Sequence, residues 1–251
     1  MKRSHDAQPS VRPATTIANA PFASTTQERD AGPGRWFPAN TSVGVPGRLA
    51  VNASNVTPRS FPARYRYAKR SLDLVVATLG LIVCAPVIAL LAILVRLDSP
   101  GGAFFIQTRV GQYGTLFPIF KLRTMRAPEG PGVSDLTDDE ARVTRVGRVL
   151  RRWSVDELPQ LFNVVRGDMS LVGPRPERPE IVLTRYQAWQ YARFEVPQGL
   201  TGLWQITDRG HTRLCDNTTN DLVYLDRASF RFDLTILVRT IPANIRQAGL
   251  L

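Results

Sequence analysis

The 251-residue chain has few of the side chains that usually carry metal or redox chemistry: two histidines, His5 and His211, and two cysteines, Cys84 and Cys215. Two lone thiols, one of them inside an apolar run, exclude a disulfide-stapled fold. No His/Cys group has the spacing of a zinc site, and a Ser-His-Asp relay would have to use His211, for which nothing in the sequence argues. Walker-type phosphate loops and G-x-G-x-x-G dinucleotide turns are also missing. Acids are the scarcer charge, 21 against 32 Lys and Arg, which leaves a formal net charge of +11. Such an excess calls for an anionic partner: nucleic acid, an anionic membrane or a phosphorylated substrate.

The excess is uneven, with +8 in residues 1–96 and +3 in residues 97–251. Residues 1–63 hold eight prolines among Ser, Thr, Ala and Asn and show no sustained periodicity, which predicts a disordered N-terminal tail. No apolar core follows its early charges, so it does not read as a signal peptide. Residues 71–95, SLDLVVATLGLIVCAPVIALLAILV, carry one charge, Asp73. Roughly 25 helical residues reach about 37 Å, enough for a hydrocarbon core of about 30 Å. A straight span and a re-entrant hairpin both fit. Pro86 removes a helical N–H and predicts a kink near Ile82–Ala85. Arg64, Arg66, Lys69 and Arg70 precede the run and Arg96 follows it, which favours a hairpin with both ends cytoplasmic. A nucleic-acid binder would explain the charge but not this run, so nucleic acid is set aside as a partner.

Residues 97–251 read as a mixed domain. In FPIFKLRTM, alternation puts Phe117, Ile119, Lys121, Arg123 and Met125 on one face, so Lys121 and Arg123 form a candidate two-cation anion site or a solvated strand edge. Residues 127–141 read as an acidic loop. Residues 142–153, RVTRVGRVLRRW, predict an amphipathic helix with Val143, Val146, Leu150 and Trp153 opposite Arg142, Arg145, Arg148 and Arg152. Its basic face suits solvent or anionic headgroups. Residues 181–194 suit a core or an interfacial helix, GLTGLWQ at 199–205 a turn and strand, and residues 233–241 a helix.

The sharpest feature is RRWSVDELPQ at 151–160, where Asp156 and Glu157 adjoin in a basic chain. Ser154 and Glu157 match the S-x-x-E capping box, so the acids could simply mark a helix start with Ser154 as its N-cap. The chemical reading is compatible with that. An Asp can attack phosphorus and give an acyl phosphate, a neighbouring Glu can hold Mg²⁺, and Arg151 brings positive charge to the same turn. Downstream, Arg175 lies between Pro174 and Pro176, which restrict its backbone and present its guanidinium at low entropic cost to a phosphate or a planar base.

The runs KRSLDLVVATLGLIVCAPVIALLAILVRLDSPGGAFFIQTRVG, FKLRTM, RVTRVGRVLRRWSVDELPQLFNVVRGDMSLVGPRPERP and GLTGLWQITDR resemble the bacterial sugar transferases, also called monotopic phosphoglycosyl transferases, over about residues 64–251. The resemblance implies an α/β fold in which a re-entrant membrane helix (64–96, its break at Pro86) precedes a small cytoplasmic catalytic domain (97–251) with short strands and interfacial helices. It implies transfer of a sugar-1-phosphate from a UDP-sugar to undecaprenyl phosphate at the inner membrane, with release of UMP. Asp156 is then the nucleophile and Glu157 the Mg²⁺ ligand, while Lys121, Arg151, Arg175 and Arg193 match the family's basic residues. The chain departs from the pattern at Ala85, where a serine is common, and at Gln198, where a proline usually precedes the glycine. A non-catalytic scaffold for polysaccharide export is the rival reading. The transferred sugar, homo-oligomerisation and contact with downstream glycosyltransferases stay open.

Overall fold

The computed structural model describes residues 59–126, 140–207 and 218–247. The expected tail lies almost wholly outside them, as do His211, Cys215 and most of the acidic 127–141 stretch. The first element is a single 36-residue helix, α1 (Ala63–Asp98), with Pro86 inside it. The helix break that the resemblance implies at Pro86 is not seen, since the helical run passes through Pro86 uninterrupted. It contains an 18-residue window of mean hydropathy 2.8, long and apolar enough to cross a membrane.

One stripe of α1 seats on the rest of the molecule along its whole length. Tyr65, Lys69, Asp73, Ala77 and Val95 are buried, and Leu81, Ile88 and Ala92 join the core clusters between them. These positions recur at three- and four-residue steps, with one seven-residue step from Leu81 to Ile88, as one helix face requires. The opposite face leaves Leu79, Ile82, Val83, Leu90 and Leu97 exposed.

The basic flank of α1 does work that its sequence position did not suggest. Lys69 is buried, its Nζ 2.9 Å from Asp233 Oδ2 and donating to Val172 O at 2.8 Å. Tyr65 and Tyr224 donate to the two oxygens of the same carboxylate at 2.9 and 2.8 Å. Arg70 donates to Val164 O and Val165 O at 2.7 and 2.9 Å, satisfying carbonyls at the end of a short helix. Two of the four cations that precede the apolar run are therefore internal ties.

After α1, β1 (Phe104–Val110) and β2 (Leu116–Leu122) form an antiparallel hairpin with Phe105 opposite Lys121. The alternation expected in β2 holds for Phe117 and Ile119, both buried. Next come α2 (Arg145–Trp153), a 3₁₀ turn (Val155–Gln160), α3 (Leu161–Arg166) and β3 (Ser170–Val172). The helix α2 starts three residues later than the pattern predicts. Its N-terminus is capped by Thr144 Oγ1, which accepts from Gly147 N at 2.9 Å, and by Asp98 Oδ2, which accepts from Val146 N at 2.9 Å. Then follow α4 (Pro179–Arg185), a 3₁₀ stretch (Ala188–Glu195), β4 (Gly199–Thr201), α5 (Leu203–Thr207), α6 (Thr219–Arg227) and α7 (Phe230–Gln247). β4 pairs with β3 in parallel, so GLTGLWQ is a strand running into a helix rather than a turn and a strand. Of residues 181–194, Val182 and Phe194 are core while Trp189 stays half exposed.

Candidate active site

The acidic pair sits on the 3₁₀ turn between α2 and α3, not at a capped helix start. Ser154 adopts a left-handed conformation (φ 56°, ψ 21°) and closes α2, its N–H bonding to Arg151 O and Leu150 O. Its side chain makes no cap for the following turn, so the capping-box expectation is corrected. A non-glycine residue at positive φ is held only where its surroundings over-determine it. Here it reverses the chain so that Asp156 and Glu157 face β2. Pro159 is buried inside the turn and, having no N–H, donates no backbone hydrogen bond to it.

The two acids are equally buried, each 8% exposed, and differ in every other respect. Glu157 is saturated: Lys121 Nζ donates to Oε1 at 2.8 Å, Arg175 NH1 donates to Oε2 at 3.2 Å, and Arg175 NH2 also reaches Oε1. Burial pushes its pKa up, but the charges of Arg175 and Lys121 together outweigh that and hold it well below the usual carboxylate range. Among the described residues, Asp156 accepts no hydrogen bond and has no ion-pair partner within 4.0 Å. Burial and the adjacent Glu157 charge raise its pKa, against the opposing pull of Lys121, Arg175 and Arg151. Burial lowers the Lys121 pKa, and Glu157 counters it. The result is one masked carboxylate and one open carboxylate beneath the same cations.

Arg175 is delivered by the loop after β3. Gly173 N bonds to Thr201 O at 2.9 Å and Gly199 N to Pro174 O at 2.8 Å. The loop and β4 approach so closely that a Cβ on Gly199 would lie 2.1 Å from Gly173 N. Gln198, where the resemblance implies a proline, is buried and donates to Arg193 O and Val196 O at 3.1 Å each. Its amide replaces a ring constraint with two hydrogen bonds.

The other predicted cations divide. Arg151 Nε donates to Thr124 Oγ1 at 3.0 Å, which holds its charge near Asp156. Arg123 donates to Ser99 O at 2.7 Å, to Ser99 Oγ at 3.0 Å and to Pro100 O. It therefore ties down the turn after α1 and does not pair with Lys121 at the acids. Arg193 is fully buried and cannot meet a ligand in this arrangement; it ion-pairs with Asp221 at 2.8 Å and donates to Arg175 O at 2.6 Å. Thr124 and Asp221 were missed in the sequence. Neither lies in a recognisable spacing with the acids, and only the fold brings them in.

Among the described residues no group of three His, Cys, Asp or Glu could cage a metal. Mg²⁺ is often held by one or two carboxylates plus substrate phosphates, and Glu157 with Asp156 is a hard-oxygen donor set of that kind. Glu157 is therefore the residue that could hold Mg²⁺ alongside a diphosphate. To do so it must release Lys121 and Arg175.

The family model for bacterial sugar transferases matches residues 64–247. The chain belongs to that family. A UDP-glucose:undecaprenyl-phosphate glucose-1-phosphate transferase of Caulobacter vibrioides is 45% identical over 184 residues, covering 70% of this chain and 68% of the relative. The exopolysaccharide production protein ExoY of Sinorhizobium fredii is 38% identical over 199 residues, covering 72% and 87%. A UDP-N-acetylgalactosamine-undecaprenyl-phosphate N-acetylgalactosaminephosphotransferase of Aeromonas hydrophila is 37% identical over 192 residues, covering 74% of the transferase and 45% of that longer protein.

Proposed function

We propose that the transferase moves a sugar-1-phosphate from a UDP-sugar to undecaprenyl phosphate through an aspartyl intermediate on Asp156. The observation that carries this reading is the open carboxylate: Asp156 is buried and unpaired beneath Lys121, Arg151 and Arg175, while its neighbour takes up the competing cations. An Asp Oδ attacks the β-phosphorus, a phosphorus–oxygen bond to Asp156 forms, and the bond to the bridging oxygen breaks, so UMP leaves with that electron pair. A phosphate oxygen of the polyprenyl acceptor then attacks the same phosphorus and frees Asp156. Lys121 and Arg175 are the groups placed to transfer from Glu157 to the diphosphate as charge builds. Glu157 would hold Mg²⁺, which when bound supplies further neutralisation of the diphosphate oxygens.

An apolar cleft of about 620 Å³ adjoins the acidic turn. Ile88 and Ala92 of α1, Phe104, Ile106 and Phe120 of the hairpin, and Pro159 and Phe162 beyond the acids line it. It suits the phosphate-proximal part of a polyprenyl chain. Both ends of α1 pack on the same body: Lys69 and Asp73 reach α7 and β3, and Asp98 caps α2. That supports a one-sided membrane seat, and the proposed reaction with a UDP-sugar would put the catalytic body on the cytoplasmic side of the bacterial inner membrane. A non-catalytic scaffold would have no use for a buried, unpaired carboxylate, whose desolvation works against folding. The test is UMP release from a panel of UDP-sugars with undecaprenyl phosphate. Asp156→Asn should abolish it in a folded protein, and full UMP release by that variant would sink the reading.

A further inference from the structure

We infer that Arg193 and Asp221 form a buried brace that fixes the backbone of Arg175, making both of them positioning residues for the donor diphosphate. The inference rests on the proposed reaction. Arg193 and Asp221 have side chains only 0% and 2% exposed and pair at 2.8 Å. A buried guanidinium needs such a partner, because an isolated charge in the interior is strongly disfavoured. Arg193 also donates to Tyr186 Oη, and its guanidinium lies 5.7 Å from the ring centroids of both Tyr186 and Phe194. The fork is thus held in one orientation, and from there it reaches the carbonyl of Arg175 at 2.6 Å.

The need for that bond follows from the loop's sequence. Pro174 and Pro176 have no N–H, so the backbone beside Arg175 can be anchored chiefly through carbonyls. The Pro174 carbonyl is taken by Gly199 N and the Arg175 carbonyl by Arg193. The Arg175 side chain must leave Glu157 to meet a diphosphate. A movable guanidinium on a fixed backbone can do so without losing its aim. The anchor traces back to α6, which carries Asp221 and whose preceding residue Thr218 accepts from Gln190 Nε2 at 3.1 Å. This helix supplies no group to the acids, yet it sets where the donor-facing arginine stands.

The test uses the full chain in lipid nanodiscs, with UDP as the probe. Arg193→Lys keeps a charge for Asp221 but loses the planar fork whose two terminal nitrogens reach Tyr186 and the Arg175 carbonyl separately. Amide exchange over Arg175–Arg178 should rise and UDP affinity should fall on the order of tenfold, with exchange in β3 and β4 unchanged. Asp221→Asn should do the same more weakly. Unchanged UDP affinity overturns the inference. So does exchange that rises equally in β3 and β4, or failure of both variants to fold, since each would make the pair a general support of the fold. If the unsubstituted chain fails to bind UDP, it is the proposed reaction that fails.

Discussion

Replacing Glu157 with Gln separates the masking role of this acid from any catalytic one. The change leaves Lys121 and Arg175 close together with their shared carboxylate gone. Breaking a buried ion pair from one side typically costs about 3–5 kcal/mol. Here the side chains are 11% (Glu157), 17% (Lys121) and 23% (Arg175) exposed, and Gln keeps one oxygen acceptor. The expected loss is therefore about 2–3 kcal/mol, below that range. For a fold of this size each kcal/mol moves Tm by about 2–4 °C, so melting should drop by roughly 4–12 °C. The pH dependence has a definite sign. The folded pKa of Glu157 is depressed, so its contribution is present above the unfolded value of about 4.3 and is lost as pH falls through the lower folded value. The gap between the two proteins should therefore close in acid. Metal-free UDP should bind the variant about tenfold more tightly, a gain of about 1.4 kcal/mol, because two cations no longer have an internal competitor. Thermal melts across pH and calorimetry in a chelator check both parts. An unchanged Tm, or weaker metal-free UDP binding, would refute the masking argument.

Three further outcomes are expected. Asp156→Asn should lose turnover yet melt at or above the parent temperature at neutral pH, because a carboxylate with a raised folded pKa opposes folding when ionised; a clear drop in Tm would contradict this. The acid limb of kcat/KM should lie above the ordinary Asp value of about 3.9 and move to lower pH in whatever activity Glu157→Gln retains, since the adjacent charge that raises the Asp156 pKa is then gone. Lys69→Met should destabilise by about 3 kcal/mol or more by leaving the buried Asp233 carboxylate without its cation, whereas Arg64→Met should stay within about 0.5 kcal/mol; similar losses in the two melts would show that the flank is not an internal tie.

The acids, the proline-flanked arginine and the hairpin strand were legible because each is local: adjacency, a restricted dihedral and a period of two all fit within ten residues. The reading of Ser154 failed for a physical reason. A capping box and a left-handed helix stop use the same residue types, and only the direction in which α2 meets the next turn separates them. Arg123 and Arg193 misled because a long cation looks alike whether it meets a ligand, the carbonyls of Ser99 and Pro100, or a buried Asp. The basic flank of α1 carried the same ambiguity. Asp221 was illegible from spacing, lying 65 residues from Asp156 in the sequence.

The seating of α1 also makes it a keyed shaft. Gly80 faces Leu161 of α3, where an added Cβ would sit 3.2 Å from Leu161 Cδ1, and the stripe continues from there to Val95. Each residue advances the helix by about 100°. One residue inserted near Gly80 would turn every later position by that angle and put Val87, Leu91 and Leu94 where Ile88, Ala92 and Val95 now pack. The phase of this helix, and not only its length or greasiness, then decides whether the chemistry is held at the lipid boundary. Insertions and deletions in it should be tolerated only in steps that restore phase, near seven residues, a constraint that an ordinary membrane anchor does not impose.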